Sequence, residues 1–433
     1  MKILVIGSGG REHALCDTLQ QTSQRPVQLY CAPGNAGISQ LAECVSIGVT
    51  DIDALAQFAA AEEIDLTIPG SEAPLAAGLS DEFARRGLAI AGPRAAAARL
   101  EASKSFAKKF MARHGIPTAH FRVADSADEA REILRGGELG VKDAPIVVKA
   151  DGLAAGKGVV VADSRAGAES AITELMEQGS VGSEAARRVV IEEALTGPEV
   201  SLLLWTDGQD YRLMPAARDH KRIGEGDIGP NTGGMGAITA PSVVLDEETQ
   251  ARAVREIVEP TLAGIRADQL DFRGVLFIGL MLTEAGPKVL EYNVRFGDPE
   301  AQAILVRLRG DLAEIFEAVA HGRLGQMEVE WSDEASACVV LAAPGYPEQS
   351  ELGSLITGLD EAAATMPDVK LFHAGTTRRA ADGAWLTAGG RVLGVTATGH
   401  TLDAALRNCY ESIHHLNWEG MQYRRDIGKL SGQ

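Results

Sequence analysis

Short apolar runs alternate with helical patterns over residues 1 to about 100. The runs at 2–6, 27–31, 44–48, 65–68 and 88–91 predict strands, and stretches such as 11–20 and 52–61 predict helices between them. Strands that alternate with helices predict a parallel, doubly wound α/β sheet. Such a sheet takes ligands where its strand ends meet Gly-rich loops. Three loops qualify: Gly7-Ser8-Gly9-Gly10-Arg11-Glu12, Ala32-Pro33-Gly34-Asn35-Ala36-Gly37 and Pro69-Gly70-Ser71-Glu72-Ala73-Pro74. The first is not a dinucleotide motif, because Glu12 stands where Gly-x-Gly-x-x-Gly needs its last glycine. Gly9, Gly10 and Arg11 at a helix start suit a single phosphate better, although a tight strand-to-helix turn fits them equally well.

Residues 101–114 predict a helix, stopped by Gly115 and Pro117. Strands at 145–150 and 158–161 then flank Asp151-Gly152-Leu153-Ala154-Ala155-Gly156-Lys157. This is no P-loop: three residues separate Gly152 from Gly156, and Gly158 follows Lys157 where Ser or Thr is required. A strand feeding a Gly-rich hairpin predicts a lid over phosphates, with Lys149 as a point charge and backbone N–H groups adding to it. Lys104 opens the preceding helix pattern and, taken alone, reads as a solvated lysine. The run 189–193 ends in Glu192 and Glu193, with Glu199 six residues beyond. Such a segment can read adenine through its backbone, with Leu195 on the ring and Glu199 on the ribose hydroxyls. Solvated carboxylates at a strand end fit the spacing as well. Further strands are predicted at 200–205 and 275–282. The region from 331 is β-rich, with runs at 337–342, 370–373 and 391–396, a helix near 402–416, and no catalytic cluster. Four regions result: 1–102 as the N-terminal α/β domain, 103–190 as the lid with its preceding helix, 191–328 as a central domain, and 329–433 as a β-rich domain.

The densest chemistry lies in the segment from Lys288 to Gln302. Side chains alternate along a strand, so Glu291, Asn293 and Arg295 project to one side. A carboxylate and an amide oxygen two residues apart, roughly 6–7 Å at Cα, can reach one hard divalent ion while phosphates supply other oxygens. Arg295 can fork onto a phosphate or carboxylate. Gly297-Asp298-Pro299 forces a turn that keeps Asp298 and Glu300 nearby.

Composition narrows the function. Sixty acidic residues against 41 basic ones give a formal charge of −19, which argues against nucleic-acid or anionic-membrane partners. No apolar run approaches the ~18 residues of a membrane helix, and Met1-Lys2 leads straight into a strand rather than a secretory signal. A cytoplasmic protein is expected. The five cysteines form no Cys-x-x-Cys pair, so buried thiols are expected rather than a zinc or redox site.

Arg295-Phe296-Gly297-Asp298-Pro299-Glu300-Ala301-Gln302 resembles the signature of the phosphoribosylamine–glycine ligase (glycinamide ribonucleotide synthetase) family, and Glu291-x-Asn293 resembles the metal-binding end of the ATP-grasp fold. The resemblance runs almost end to end. It includes Gly-Gly-Arg-Glu-His-Ala at 9–14, Ala-Pro-Gly-Asn-Ala-Gly at 32–37 and Lys-Ala-Asp-Gly-Leu-Ala-Ala-Gly-Lys-Gly at 149–158. It also takes in Asp219-His220-Lys221-Arg222 and Gly229-Pro230-Asn231-Thr232-Gly233-Gly234-Met235-Gly236. It departs at Ser71, where the family usually has proline, and on strand 276–282, which lacks the extra metal carboxylate of many ATP-grasp enzymes.

The resemblance implies an ATP-dependent ligase of purine biosynthesis, joining glycine to 5-phosphoribosylamine through a glycyl phosphate to give glycinamide ribonucleotide, ADP and phosphate. It implies that Lys104, Lys149 and the lid residues Gly156, Lys157 and Gly158 hold ATP phosphates, with Glu192, Glu193, Leu195 and Glu199 around the nucleoside. Glu291 and Asn293 would hold Mg²⁺ or Mn²⁺, Arg295 would steady the acyl phosphate, and Asp298 would orient the amine. Gly9, Gly10, Arg11, Glu12, Asn35, Glu72, Asp219, Lys221, Asn231, Gly233, Gly234 and Met235 would line the substrate cleft. A monomer is expected. The competing readings are a sister ATP-grasp carboxylate–amine ligase and a catalytically silent nucleotide binder.

Overall fold

The computed structural model describes the chain except residues 138, 140–143, 155–157, 183–184, 366–367 and 430–433. The first layer contains β1 (Lys2–Gly7), α1 (Gly10–Thr22), β2 (Gln28–Pro33), β3 (Glu43–Cys44), α2 (Ile52–Ala61), β4 (Leu66–Pro69), α3 (Glu72–Ala76) and α4 (Leu79–Arg85). The strands form a parallel sheet in the order β3-β2-β1-β4. Helices cover both faces, so β1 is buried from Ile3 to Gly7 with no polar alternation.

Two expected strands are shorter than predicted. Pairing with β2 stops at Cys31↔Cys44, and residues 45–48 leave the sheet edge to tuck Val45 and Ile47 against the α2 side of the core. Residues 88–91 supply only a bridge from Ile90 to Thr67 before Gly92-Pro93 ends the run. The helix expected over 101–114 is also broken. Ser103 is extended between α5 (Ala95–Ala102) and α6 (Lys104–Arg113), and its hydroxyl accepts the Phe106 N–H at 3.2 Å. That oxygen also donates to Asp151 at 2.9 Å, so capping and a tertiary partner together outcompete continued helix.

The lid contains β5 (Phe121–Ala124), α7 (Ala127–Gly136), β6 (Ile146–Ala150), β7 (Val159–Ala162), α8 (Arg165–Ile172) and β8 (Val189–Glu193). Its sheet runs β5-β8-β6-β7 with antiparallel pairs, and β6–β7 is the expected hairpin. The central sheet, β10-β9-β15-β16, is built from β9 (Glu199–Thr206), β10 (Tyr211–Leu213), β15 (Gly274–Thr283) and β16 (Gly286–Asn293).

The last sheet takes strands from both sides of residue 329. β11 (Arg218–Asp219) pairs with β14 (Gly236–Thr239), β14 with β17 (Ala335–Ala342), β17 with β19 (Arg391–Gly399), and β19 with β18 (Val369–His373). Between β11 and β14 the chain makes the hairpin β12 (Arg222–Gly224) and β13 (Ile228–Asn231). A fully buried Trp205 on β9 stacks on Trp331 at 5.7 Å and meets Phe296 and Phe316 edge-on.

Strand β18 also closes a seam against the first layer. His13 Nδ1 accepts the His373 N–H at 2.8 Å, and Lys370 pairs with Asp17 at 3.2 Å. Burial, helped by the neighbouring His373 ring and by Lys370, lowers His13 to about 3, and burial with Arg378 lowers His373 to about 4. Both rings are neutral in the folded chain, whereas an unfolded histidine titrates near 6.5. The unfolded state therefore binds more protons as pH falls below about 6.5, and stability drops toward pH 4. Replacing His13 with glutamine should shrink that loss, leaving the part due to His373, as measured by urea midpoints between about pH 7.5 and 5.

Candidate active site

The first loop is built around Glu12. Its carboxylate accepts the Gly9 N–H at 2.6 Å and the Arg11 Nε–H at 2.7 Å while being nearly fully buried. It fills the space between two glycines: a Cβ on Gly7 or Gly70 would lie 2.5 or 2.1 Å from its side chain. Glu12 thus shapes the loop from beneath, and Arg11 points across it, with Nη1 donating to the Phe296 carbonyl at 3.0 Å. The Asn35 side chain is consumed in joining loops: its Nδ2 donates to Ser8 and His373 carbonyls, and its Oδ1 accepts from Gly37 and Ile38.

Arg295 lies just past β16, between two carboxylates of the N-terminal region. Nε donates to Glu72 at 3.1 Å and Nη2 to Glu101 at 2.6 Å. Burial works against its charge, but Glu101 and Glu72 hold its pKa above the usual arginine value. Asp298 accepts from Gln302 at 2.8 Å and pairs with Arg391 at 3.1 Å. Burial raises its pKa, but Arg391 and Arg11 outweigh that and keep it ionised.

The lysines converge on the other side. Lys149 and Lys108 both pair with the buried Glu192, and Lys108 also donates to Thr118 at 2.7 Å. Lys149 reaches the Leu290 carbonyl and Lys104 the Gly152 carbonyl, each at 3.3 Å. Burial lowers the Lys104 pKa against the pull of Glu291, and burial lowers Lys108 to about 8. Two lysines share one carboxylate and Lys104 has no ion pair among the described residues, so the cleft retains positive charge. Glu193 accepts the His120 N–H at 3.0 Å. Gly158 sits at the root of β7, while Gly156 and Lys157 lie outside the described residues.

Glu291 differs from these acids. Among the described residues no hydrogen bond or ion pair engages its carboxylate. Burial raises its pKa, but Lys221, Lys149, Lys104 and Arg295 around it lower it further than burial raises it. Asn293, two positions on, accepts only a long 3.4 Å contact from Arg295. An ionised carboxylate and an amide oxygen with open lone pairs are the hard donors a divalent ion takes beside phosphates, so the pair fits such an ion. Gly279 stands opposite Glu291 on β15, where a Cβ would lie 3.3 Å from Glu291 Cγ. The glycine thus keeps β15 clear of the Glu291 side chain.

Glu199 and Lys221 pair with each other at 2.7 Å. Asn231 ends β13 in register with Arg222 and is exposed. Gly233 is tied by its N–H to Tyr346 Oη at 3.0 Å and by its carbonyl to Arg391. Gly234 has φ +109° and no space for a Cβ, which would meet Asp219 Oδ1 at 2.7 Å. Burial with the nearby Glu300 raises the Asp219 pKa well above the usual range. Met235 is fully buried, so its side chain packs the wall from behind.

Sequence reasoning missed Glu101, Lys108, Gln302 and Arg391. Lys108 could have been found, since it lies four residues after Lys104 on one helix face. Arg391 carries no local signal; it reaches Asp298 from a strand 93 positions away.

A Gly-rich hairpin lid, a lysine strand and an Glu-x-Asn strand in antiparallel sheets define an ATP-grasp protein. Models of the phosphoribosylglycinamide synthetase N domain, ATP-grasp (A) domain and C domain match residues 1–101, 102–301 and 336–430. The chain belongs to this family. It is 48% identical to the phosphoribosylamine–glycine ligases of Xylella fastidiosa and Brucella melitensis, each over 99% of this chain and 97% of the relative. The crystal structure of the Thermotoga maritima phosphoribosylamine–glycine ligase matches with TM-score 0.83 at 34% identity, over 98% of this chain and all of that one. A biotin carboxylase from Campylobacter jejuni shares the fold at TM-score 0.72 and 16% identity, over 98% of this chain and 93% of that one.

Substituting Lys108 by methionine leaves Glu192 to Lys149 alone. Lys149 then balances the whole Glu192 charge and the cleft loses one positive charge. KM for ATP should rise about tenfold, the scale of one charge-assisted hydrogen bond. Urea unfolding should show a loss of about 3 kcal/mol, the scale for breaking a buried ion cluster.

Proposed function

We propose that the chain is the ATP-dependent ligase that joins glycine to 5-phosphoribosylamine, giving glycinamide ribonucleotide, ADP and phosphate. The observation that carries this reading is the Glu291 carboxylate beside Asn293, without a hydrogen bond or ion pair among the described residues and ringed by Lys104, Lys149, Lys221 and Arg295. Those residues suit a nucleotide triphosphate with its cation, and family membership supplies the two remaining substrates.

The chemistry explains the residue types. A carboxylate is a poor acylating agent, so a glycine oxygen first attacks the γ-phosphorus and ADP leaves, forming glycyl phosphate. The amine of phosphoribosylamine then attacks the acyl carbon and inorganic phosphate departs. Charge builds on the transferred phosphoryl group, and preorganised cations stabilise it without having to reorient. Lys104 and Lys149 hold the phosphates, and Arg295 steadies the acyl phosphate. Bound at Glu291 and Asn293, Mg²⁺ would neutralise phosphate charge and polarise the phosphoryl oxygens.

Ionised Asp298 accepts hydrogen bonds and orients the amine. Arg11, at the N-terminus of α1 with Gly9 and Gly10, receives the ribose phosphate. No enzyme nucleophile is required. Burial holds the Cys338 thiol near 12 and the Cys44 thiol near 11, so both stay protonated. A monomer is part of this reading, and the small polar substrates suit a cytoplasmic enzyme.

Two results test this reading. ADP release should require both glycine and freshly generated phosphoribosylamine; release with neither would overturn the substrate assignment. Glu291→Ala should cut turnover at least about a hundredfold, as expected for losing several kcal/mol of metal-assisted stabilisation. The variant should still fold cooperatively, because among the described residues no hydrogen bond or ion pair depends on the Glu291 carboxylate. A Glu291→Ala enzyme with near-normal Mg²⁺-dependent turnover would refute the metal assignment.

A further inference from the structure

Glu101 sits in the last turn of α5, outside every motif of the sequence, yet it touches the catalytic strand twice. One oxygen accepts the Val294 backbone N–H at 2.7 Å and the other accepts Arg295 Nη2 at 2.6 Å. Val294 directly follows Asn293, so one carboxylate fixes both the end of the metal strand and the guanidinium beyond it. Its side chain is 6% exposed, against 30% for Glu72, the second acid on Arg295.

The donors of Arg295 can be counted. A guanidinium has five N–H groups. Nε–H goes to Glu72, the two on Nη2 go to Glu101 and Asn293, and one on Nη1 goes to the Phe296 carbonyl at 3.0 Å. The Asn293 contact is long, so that Nη2 proton and one on Nη1 are all that is free, too few for a phosphoryl group with several charged oxygens. One protein acceptor must yield when substrate arrives. Glu72 is the one open to the cleft, whereas Glu101 is enclosed and held by a backbone N–H as well.

We propose that Glu101 is the positioning residue for Arg295: it anchors the guanidinium throughout the reaction while Glu72 gives way to the ligand. This rests on the reading of Arg295 as the group that steadies the acyl phosphate. The anchor acts on the transition state more than on nucleotide binding, because both Glu101 oxygens are bonded to the segment beyond the metal pair and neither is bonded to Lys104 or Lys149. The same turn leads into Ser103 and Ser105, which hold Asp151 at the root of the lid with bonds of 2.7–3.0 Å. Glu101 is therefore fixed from its own side too.

The test is a double-mutant cycle on the full-length enzyme, followed by ADP release. Burial pushes the Glu101 carboxyl up to about 7 against the pull of Arg295, so the assays are run at about pH 8.5, where it is ionised. Glu101→Gln keeps the size and the acceptor for Val294 but removes the charge facing Arg295. Its kcat should fall about tenfold to a hundredfold, the scale of a charge-assisted hydrogen bond, while KM for ATP stays within about twofold. Arg295→Ala should fall further, and adding Glu101→Gln to it should cost nothing more, since Glu101 acts through Arg295. Losses that multiply in the double variant would overturn the proposal, as would an unchanged kcat in Glu101→Gln beside a crippled Arg295→Ala. An Arg295→Ala enzyme with normal turnover would instead overturn the role of Arg295 itself. If Glu101→Gln does not fold, Glu101→Asp carries the same cycle: it keeps the charge but withdraws it by one methylene.

Discussion

Three lysines converge on one cleft, and the structure tolerates them because Glu192 lies between two. Alone, like charges in a partly buried site would repel and shed protons. Glu192 stays ionised although burial raises its pKa, because Lys149 and Lys108 together lower it. Two lysines on one carboxylate leave net positive charge, and neither of those two is left without an anion. The remaining features of the nucleotide side follow from this arrangement. β8 must bring Glu192 under β6, α6 must turn Lys108 inward, and the break at Ser103 must aim Lys104 along a different line from the helix before it.

A second charge balance governs the substrate side. Arg11, Arg295 and Arg391 come from three distant segments, and each carries its own carboxylate: Glu12, Glu101 with Glu72, and Asp298. Paired arginines keep planar donor arrays in fixed orientation and lose little freedom when an anion binds. The cleft is thus assembled by interactions between regions that are remote in sequence. The region after residue 330 contributes Arg391 and the seam at His373, although it holds no catalytic motif of its own.

Much of this was readable from the chain. Alternation along β16 placed Glu291, Asn293 and Arg295 together, and the strand–helix rhythm of the first hundred residues gave the parallel sheet. Strand Val189–Glu193 and helix Ile52–Ala61 have the boundaries that periodicity predicts. The failures have physical causes. Residues 45–48 and 88–91 are apolar enough for strands, but burial against α2 and the Gly92-Pro93 stop decide otherwise. Ser103 breaks a good helical pattern because Asp151, 48 positions away, offers its hydroxyl a partner. Glu192 reads as a solvated acid or a nucleotide contact until the fold sets two lysines against it. Arg391 and Glu101 were invisible because a local pattern cannot report a partner from another region.

The sheet shared across residue 329 has a consequence for how the molecule is made. Gly236 of β14 pairs with Val339 of β17, about a hundred positions later in the chain. At roughly 5–20 residues per second of synthesis, β14 waits several seconds for its neighbour. Until then the loop of Gly233 and Gly234 lacks the strand that pins it, and an apolar sheet edge stands open. Completion of the catalytic cleft is therefore a late event on the ribosome. A fragment ending near residue 330 would be no smaller enzyme but a chain arrested with its edge uncovered.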